Sequence, residues 1–254
     1  MENPALRSTS EAGVIGKFMA MKLLPNRATI PRTLLRIAIA CCVAFMLLIA
    51  AAMMVFPGGT MQNHAEAHYR FFQNPFSDLG RTHAFDGRSN TVCMTLFIAA
   101  MIAGALGVAV FFVAFARLAR SSKLARLFSS LGALLGISAA LGFLGVACTP
   151  WDLYMHTHIQ FVFLAFRSLL VATVFDLLAV LVDGTLSRRL IGPFATFICL
   201  LIAYIILLTA GVSGGPGSDA VLQATGQKAI VFSAILMVLV QSAQLCRQQL
   251  ATDH

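Results

Sequence analysis

Long apolar runs alternate with short polar gaps along the whole chain, and the runs have neither the two-residue nor the amphipathic pattern of a soluble domain. About 20 apolar residues in a helix match the ~30 Å hydrocarbon thickness of a bilayer. Six runs meet that length, at about 33–56, 91–118, 127–149, 157–182, 190–212 and 230–246. The pattern therefore predicts an all-α fold, an integral membrane bundle of six transmembrane helices. Pro57-Gly58-Gly59 marks the end of the first run and Pro150 that of the third. Gly192-Pro193 reads as a helix start or kink. The first run is too long, and begins too far into the chain, for a cleaved signal peptide, so it reads as a retained signal anchor.

Three segments follow from this reading. Residues 1–31 form a basic N-terminal segment, either disordered or lying on the membrane surface through the stretch 13–24 with Lys17 and Lys22. Residues 32–246 form the six-helix transmembrane domain, and 247–254 a short tail. Composition agrees, with 59% hydrophobic and 11% charged residues, where soluble domains carry roughly a quarter charged.

The net charge of +8 is a topology signal more than a nucleic-acid signal, because the charges sit in the gaps. One side collects Arg7, Lys17, Lys22, Arg27, Arg32 and Arg36, then Arg117, Arg120, Lys123 and Arg126, then Arg188, Arg189 and Arg247. The other side holds Arg70, Arg81, Arg88 and Lys228. Lys and Arg accumulate in cytoplasmic loops, so both termini are expected in the cytoplasm, in a multi-pass protein of the cell (inner) membrane. No nucleic-acid partner is expected. The six cysteines lie in or at the ends of apolar runs without C-x-x-C spacing, and read as small buried hydrophobes. No cofactor or metal is implied.

The outer face then comprises the connections 57–90, 149–158 and 211–219. It collects His64, His68, His83, His156 and His158 with Glu66, Asp78, Asp86, Asp152 and Asp219, the groups used for proton transfer and metal binding. Outer loops also hold whatever polar residues the spans cannot. His64-Ala-Glu-Ala-His68 has its glutamate at the wrong offset for a zinc protease motif. Ser77-Asp78 lacks the G-x-S-x-G elbow, and S-D-L-G alone fits a turn closed by Gly80. In the fourth run His156, Gln160 and Arg167 fall on one helix face, and His158 on the opposite one. Arg167 is the most informative residue, since a charge at that depth must face the bundle, a wet cavity, an anion or a second helix, or else snorkel upward. The other charge within the runs is Asp176, nine positions on and across the helix. Gly132, Gly136 and Ala140, like Ala100 and Gly104, are spaced for close helix packing in lipid. No internal repeat supports an inverted-repeat transporter.

The order N-P-F-S-D-L-G (74–80), long second span, then T-P-W-D (149–152) and His156 resembles the prokaryotic membrane family catalogued as domain of unknown function 998. The resemblance covers roughly residues 35–245 and rests on Ser77, Asp78, Leu79, Gly80, Pro150, Asp152 and His156. A more distant resemblance, through the S-D-x-G element and span count, runs to DRAM-type autophagy modulators and proteins that remodel the lipid of GPI anchors. It implies a lipid-related role.

Together these readings predict an outward-facing polar pocket for an anionic lipid or similar amphiphile. Asp78, Asp152 and His156 would form its rim, Arg167 its floor, with Gln160 and His83 as further ligand-binding residues. If the chain is an enzyme, it is a lipid-directed hydrolase or transferase, with His156 as acid or base oriented by Asp152 or Asp78, and Ser77 as nucleophile. The other reading is a non-enzymatic membrane subunit, assembly factor or sensor whose outer loops dock a partner, with S-D-L-G and P-W-D acting as turn and clasp. Membrane lipids, a partner membrane protein or a second copy are the expected partners.

Overall fold

A computed structural model describes residues 29–209 and 218–252. Most of the expected N-terminal segment, most of the glycine-rich 211–219 connection and the last two residues lie outside that range. Six long apolar helices, each able to cross a membrane, make the chain an all-α, multi-pass membrane protein. They are α1 (Thr29–Val55), α3 (Thr91–Leu118), α4 (Lys123–Cys148), α5 (Trp151–Val182), α6 (Ile191–Thr209) and α7 (Ser218–Thr252). A single helical turn, α2 (Phe76–Leu79), sits in the first connection, and a 3₁₀ turn, Arg188–Leu190, precedes α6. No strand occurs among the described residues, where His83 and Ser89 form one isolated bridge.

The six long helices form a closed ring in chain order, with α7 returning to pack on α1. Small residues set the spacing. A Cβ on Gly142 of α4 would lie 2.7 Å from the backbone nitrogen of Ala165 on α5, so the two backbones touch there. Gly104 and Gly107 of α3 accept Phe45 and Cys41 of α1 in the same way. One end of the ring carries the α3–α4 and α5–α6 turns with Arg117, Arg120, Arg188 and Arg189, and is called the basic end. The other carries the 57–90 connection and is called the loop end.

Each end is stapled by an aspartate. At the basic end Asp183 accepts from the Ser121 amide at 3.0 Å and from the Thr185 and Leu186 amides, joining two turns. The core there is aromatic. Phe111, Phe112, Phe115 and Phe194 are fully buried and meet in two edge-to-face and two tilted pairs, filling the bundle there. The loop-end half of the ring is less full.

The last helix differs most from expectation. Apolar content predicts a start near residue 230, yet α7 begins at Ser218. The stretch 218–229 holds three Ala, two Gln, a Leu and a Lys, good helix formers, and Gln227 and Lys228 serve the loop above the ring. Lys228, expected in an outer connection, is therefore a buried residue of α7. Similarly α5 begins at Trp151 rather than 157, through a kink at Tyr154 (φ −129°, ψ 43°).

Candidate functional site

The 57–90 connection folds into a compact cap, and Asn74 organises it. Its Nδ2 donates to the Gly59 carbonyl (3.0 Å) and to Asp78 Oδ2 (2.9 Å), while its Oδ1 accepts from the Arg70 amide (2.9 Å). Its backbone carbonyl accepts from Tyr69 Oη (2.7 Å) and from Lys228 Nζ (2.5 Å). Tight chain geometry lets the hub form. Gly59 has φ +82°, a left-handed conformation, with Phe85 and the Asp86 amide where a side chain would stand. Asn90 closes the other side, its Nδ2 donating to the Leu79 and Arg81 carbonyls.

Lys228 reaches up from α7 into this cap. Its ammonium also donates to the Ala224 carbonyl and lies 5.0–5.4 Å from the ring centres of Tyr69, Phe71 and Phe76. Three aromatic faces and two carbonyls stand in for water around a charge that is almost wholly buried. Gln227, one residue earlier, accepts from the Phe76 amide through Oε1 at 2.7 Å.

Asp78 is buried in the same cap and accepts from Asn74 and from Trp151 Nε1 (3.2 Å). Burial pushes its carboxyl up to about 6, against the opposing pull of the Asn74 and Trp151 hydrogen bonds and of the Arg81 and Lys228 charges. Arg81 lies over the rings of Phe85 (4.0 Å) and Trp151 (4.7 Å), and donates through Nε to the His83 carbonyl.

Asp152 staples this end. Its carboxylate accepts from the Thr82 amide (3.0 and 3.2 Å), the Thr82 hydroxyl (2.7 Å) and, more weakly, the His83 amide (3.4 Å). The two acidic motifs, S-D-L-G and P-W-D, thus meet at one end of the bundle, through Trp151–Asp78 and Asp152–Thr82.

Two cavities lie beneath the cap. The upper one, about 260 Å³, is bounded by the cap residues Gln73, Ser77, Asp78 and Phe85, by Trp151, Met155 and His158 of α5, by Tyr204 and Leu207 of α6, and by Gln223 and Gln227 of α7. The lower one, about 70 Å³, lies at the ring's centre and is almost entirely apolar, among Phe45, Phe97, Met101, Phe143, Phe166 and Val231. Ser77, Val162 and Gln227 line both.

The histidine at the upper cavity is His158. Its Nδ1 is 2.7 Å from the Thr149 carbonyl, which can only accept, so Nδ1 carries the hydrogen and Nε2 is left as the acceptor of the neutral ring. Ser77, Asp78 and His158 line the same cavity.

The other expected site residues stand elsewhere. His156 and Gln160 are exposed on the outside of α5, and neither lines a cavity. Asp152 is engaged with Thr82 and orients no histidine. His83 is exposed, its ring beside the Thr82 hydroxyl. Arg167, expected as the floor of the pocket, lines neither of the two cavities. It is exposed on the outer face of α5, with its guanidinium 4.6 Å from the ring centre of Phe163. A charge exposed at mid-span costs at least ~2.5 kcal/mol in lipid. The alignment of His156, Gln160 and Arg167 does occur, with His158 on the opposite face, but the aligned side is the outer one. Asp176, across the helix, is wholly buried and packs against Gly132 of α4. The segment 64–68 is not helical, so the i, i+4 histidine pair of a metal site does not form there.

No family model, curated protein or solved structure matches the chain. The site is read from its own geometry. Three of its members escape a sequence reading. Asn74 and Lys228 look like loop residues, and His158 is discounted with the face it belongs to. The signal for Lys228 is its place at helical spacing from Ala224 and Val231, continuous with the apolar run.

Proposed function

We propose that the chain holds a membrane amphiphile at the loop end, headgroup in the upper cavity and hydrocarbon in the lower. The observation that carries this is the gradient of lining. A few polar groups, namely Asp78, His158, Gln223, Gln227 and the Trp151 indole, stand within the largely apolar lining of the upper space, and the lower space meets almost nothing but carbon. Ligand sites are mostly apolar with a few placed polar groups.

The headgroup expected here is neutral or cationic. Of the charged groups, the one on the wall is the Asp78 carboxylate, and Lys228 is already spent on Asn74 and Ala224. With Arg167 on the outside of the bundle, the argument for an anionic headgroup lapses. Positive-inside asymmetry supports the loop end facing outward.

A second reading adds chemistry at the headgroup. A tautomer with the hydrogen on Nδ1 leaves Nε2 as the acceptor, the state in which histidine acts as a base, and Ser77 and Asp78 line the same cavity. It is favoured by the Thr149–His158 bond.

The test is native mass spectrometry of the protein extracted gently from its own membrane. Wild type and Arg167→Ala should carry the same bound amphiphile, while Val162→Trp, which fills the junction of the two cavities, should lose it. Equal retention by Val162→Trp overturns the reading.

A further inference from the structure

The outer face of α5 carries polar side chains along an otherwise apolar span. His156, Gln160, Phe163, Leu164, Arg167 and Val171 fall within an arc of about 100° and run for about 22 Å along the helix. All are exposed except Phe163, which is half-buried. The spacing of 4, 3, 4 and 4 residues from His156 to Gln160, Phe163, Arg167 and Val171 is that of a helix-packing seam. We propose that this face docks a transmembrane helix of another membrane protein, and that the docked helix carries a carboxylate opposite Arg167.

Three observations exclude simpler occupants. The first is depth. His158 is tied to Thr149 at the top of α4, and Arg167 lies nine residues further along, about 13 Å below that level. Asp183, at the basic end, is sixteen residues away, about 24 Å. Even fully extended, the arginine side chain falls short of both levels, so a lipid headgroup is out of range. The second is pairing. Among the described residues Arg167 touches only the Phe163 ring as a polar or π partner, and Phe163 holds the guanidinium along the face rather than satisfying its five donors.

The third is charge complementarity, which excludes a second copy. Among the described side chains of the six spans the carboxylates are Asp152, engaged with Thr82, and Asp176, wholly buried. Two parallel copies related by a twofold axis along this face would bring arginine towards arginine. The complement of a lone guanidinium in hydrocarbon is a carboxylate that these described side chains do not offer. His156 and Gln160, nearer the loop end, add donors and acceptors for hydrogen bonds along the same seam. This surface lies on the opposite side of α5 from His158, so it is independent of the cavity reading.

The experiment places a photo-crosslinking residue at Leu164 or Val171 in the full-length chain in its own membrane, with Leu47 on α1 as the exposed control. The expected result is one discrete protein adduct from positions 164 and 171 and none from 47. Arg167→Leu should lower that adduct about tenfold or more. The adducted protein, sequenced by mass spectrometry, should hold an Asp or Glu within a span. Exchanging charges, Arg167→Glu here and Lys for that carboxylate there, should restore the adduct. Arg167→Leu should melt in detergent no lower than wild type, which separates docking from folding. An adduct of twice the chain's mass, lipid adducts alone, a partner without an acidic span residue, or an adduct indifferent to Arg167→Leu each overturns the proposal.

Discussion

Trp151 is the chain's single tryptophan, and its indole N–H donates to Asp78. Its fluorescence should therefore report the ionisation of that carboxyl, titrating with a midpoint of about 6 in wild type and flat through this range in Asp78→Asn. The sign follows from burial. The folded-state value lies above the ordinary carboxylate value, so the folded chain binds this proton more tightly than the unfolded one. The stabilising contribution is whole below about 4 and is lost as pH rises through about 6, the reverse of a salt-bridged aspartate. Wild type should melt higher at pH 5 than at pH 7, and Asp78→Asn should lose that difference. Asn74→Ala removes three hydrogen bonds and leaves Asp78 Oδ2 without its Asn74 donor, and a fall of about 2–3 kcal/mol in thermal or denaturant stability is expected. At this scale the sequence was only half readable. Asp78 and Asp152 announced themselves because carboxylates beside apolar runs need partners. The choice between His156 and His158 did not, since a helical wheel fixes which residues share a face and says nothing of which face turns inward. In water, apolar content breaks that tie, but in lipid both sides of α5 are apolar.

Among the elements, the contact between α4 and α5 depends on glycine. At Gly142 an added methyl meets the backbone of Ala165, which has no rotamer to yield, so Gly142→Ala should cost about 1–3 kcal/mol. Gly192, in the first turn of α6, meets nothing within 4 Å, and Gly192→Ala should be neutral or slightly stabilising. Comparing the two by thermal shift in one detergent separates packing from helix propensity. Five of the six helices lie close to where the apolar runs put them. The miss is α7, whose first three turns are polar because they support the cap rather than face hydrocarbon. A hydropathy reading stops where the lipid stops, and helices continue wherever another partner satisfies their polar side. That is also why Lys228 reads as a loop residue in the apolar pattern.

For the molecule as a whole, the ring order follows chain order, the outcome expected of short connections. The distribution of Lys and Arg predicts which end faces the cytoplasm. A cysteine introduced at His68, in a chain relieved of its own six, should react with a membrane-impermeant maleimide added to intact cells, and one at Ser121 should react only after permeabilisation. Reversed labelling would turn the cavity to the cytoplasm and undo the proposed access from outside. Nothing in the sequence pattern told where the ring would be full and where hollow, because that depends on which aromatic side chains converge. The convergence of Phe111, Phe112, Phe115 and Phe194 has its own consequence. They fill the bundle on the basic side of both cavities. For a guest held as proposed, the capped end would then serve as both entrance and exit, and exchange would be set by how often the cap yields.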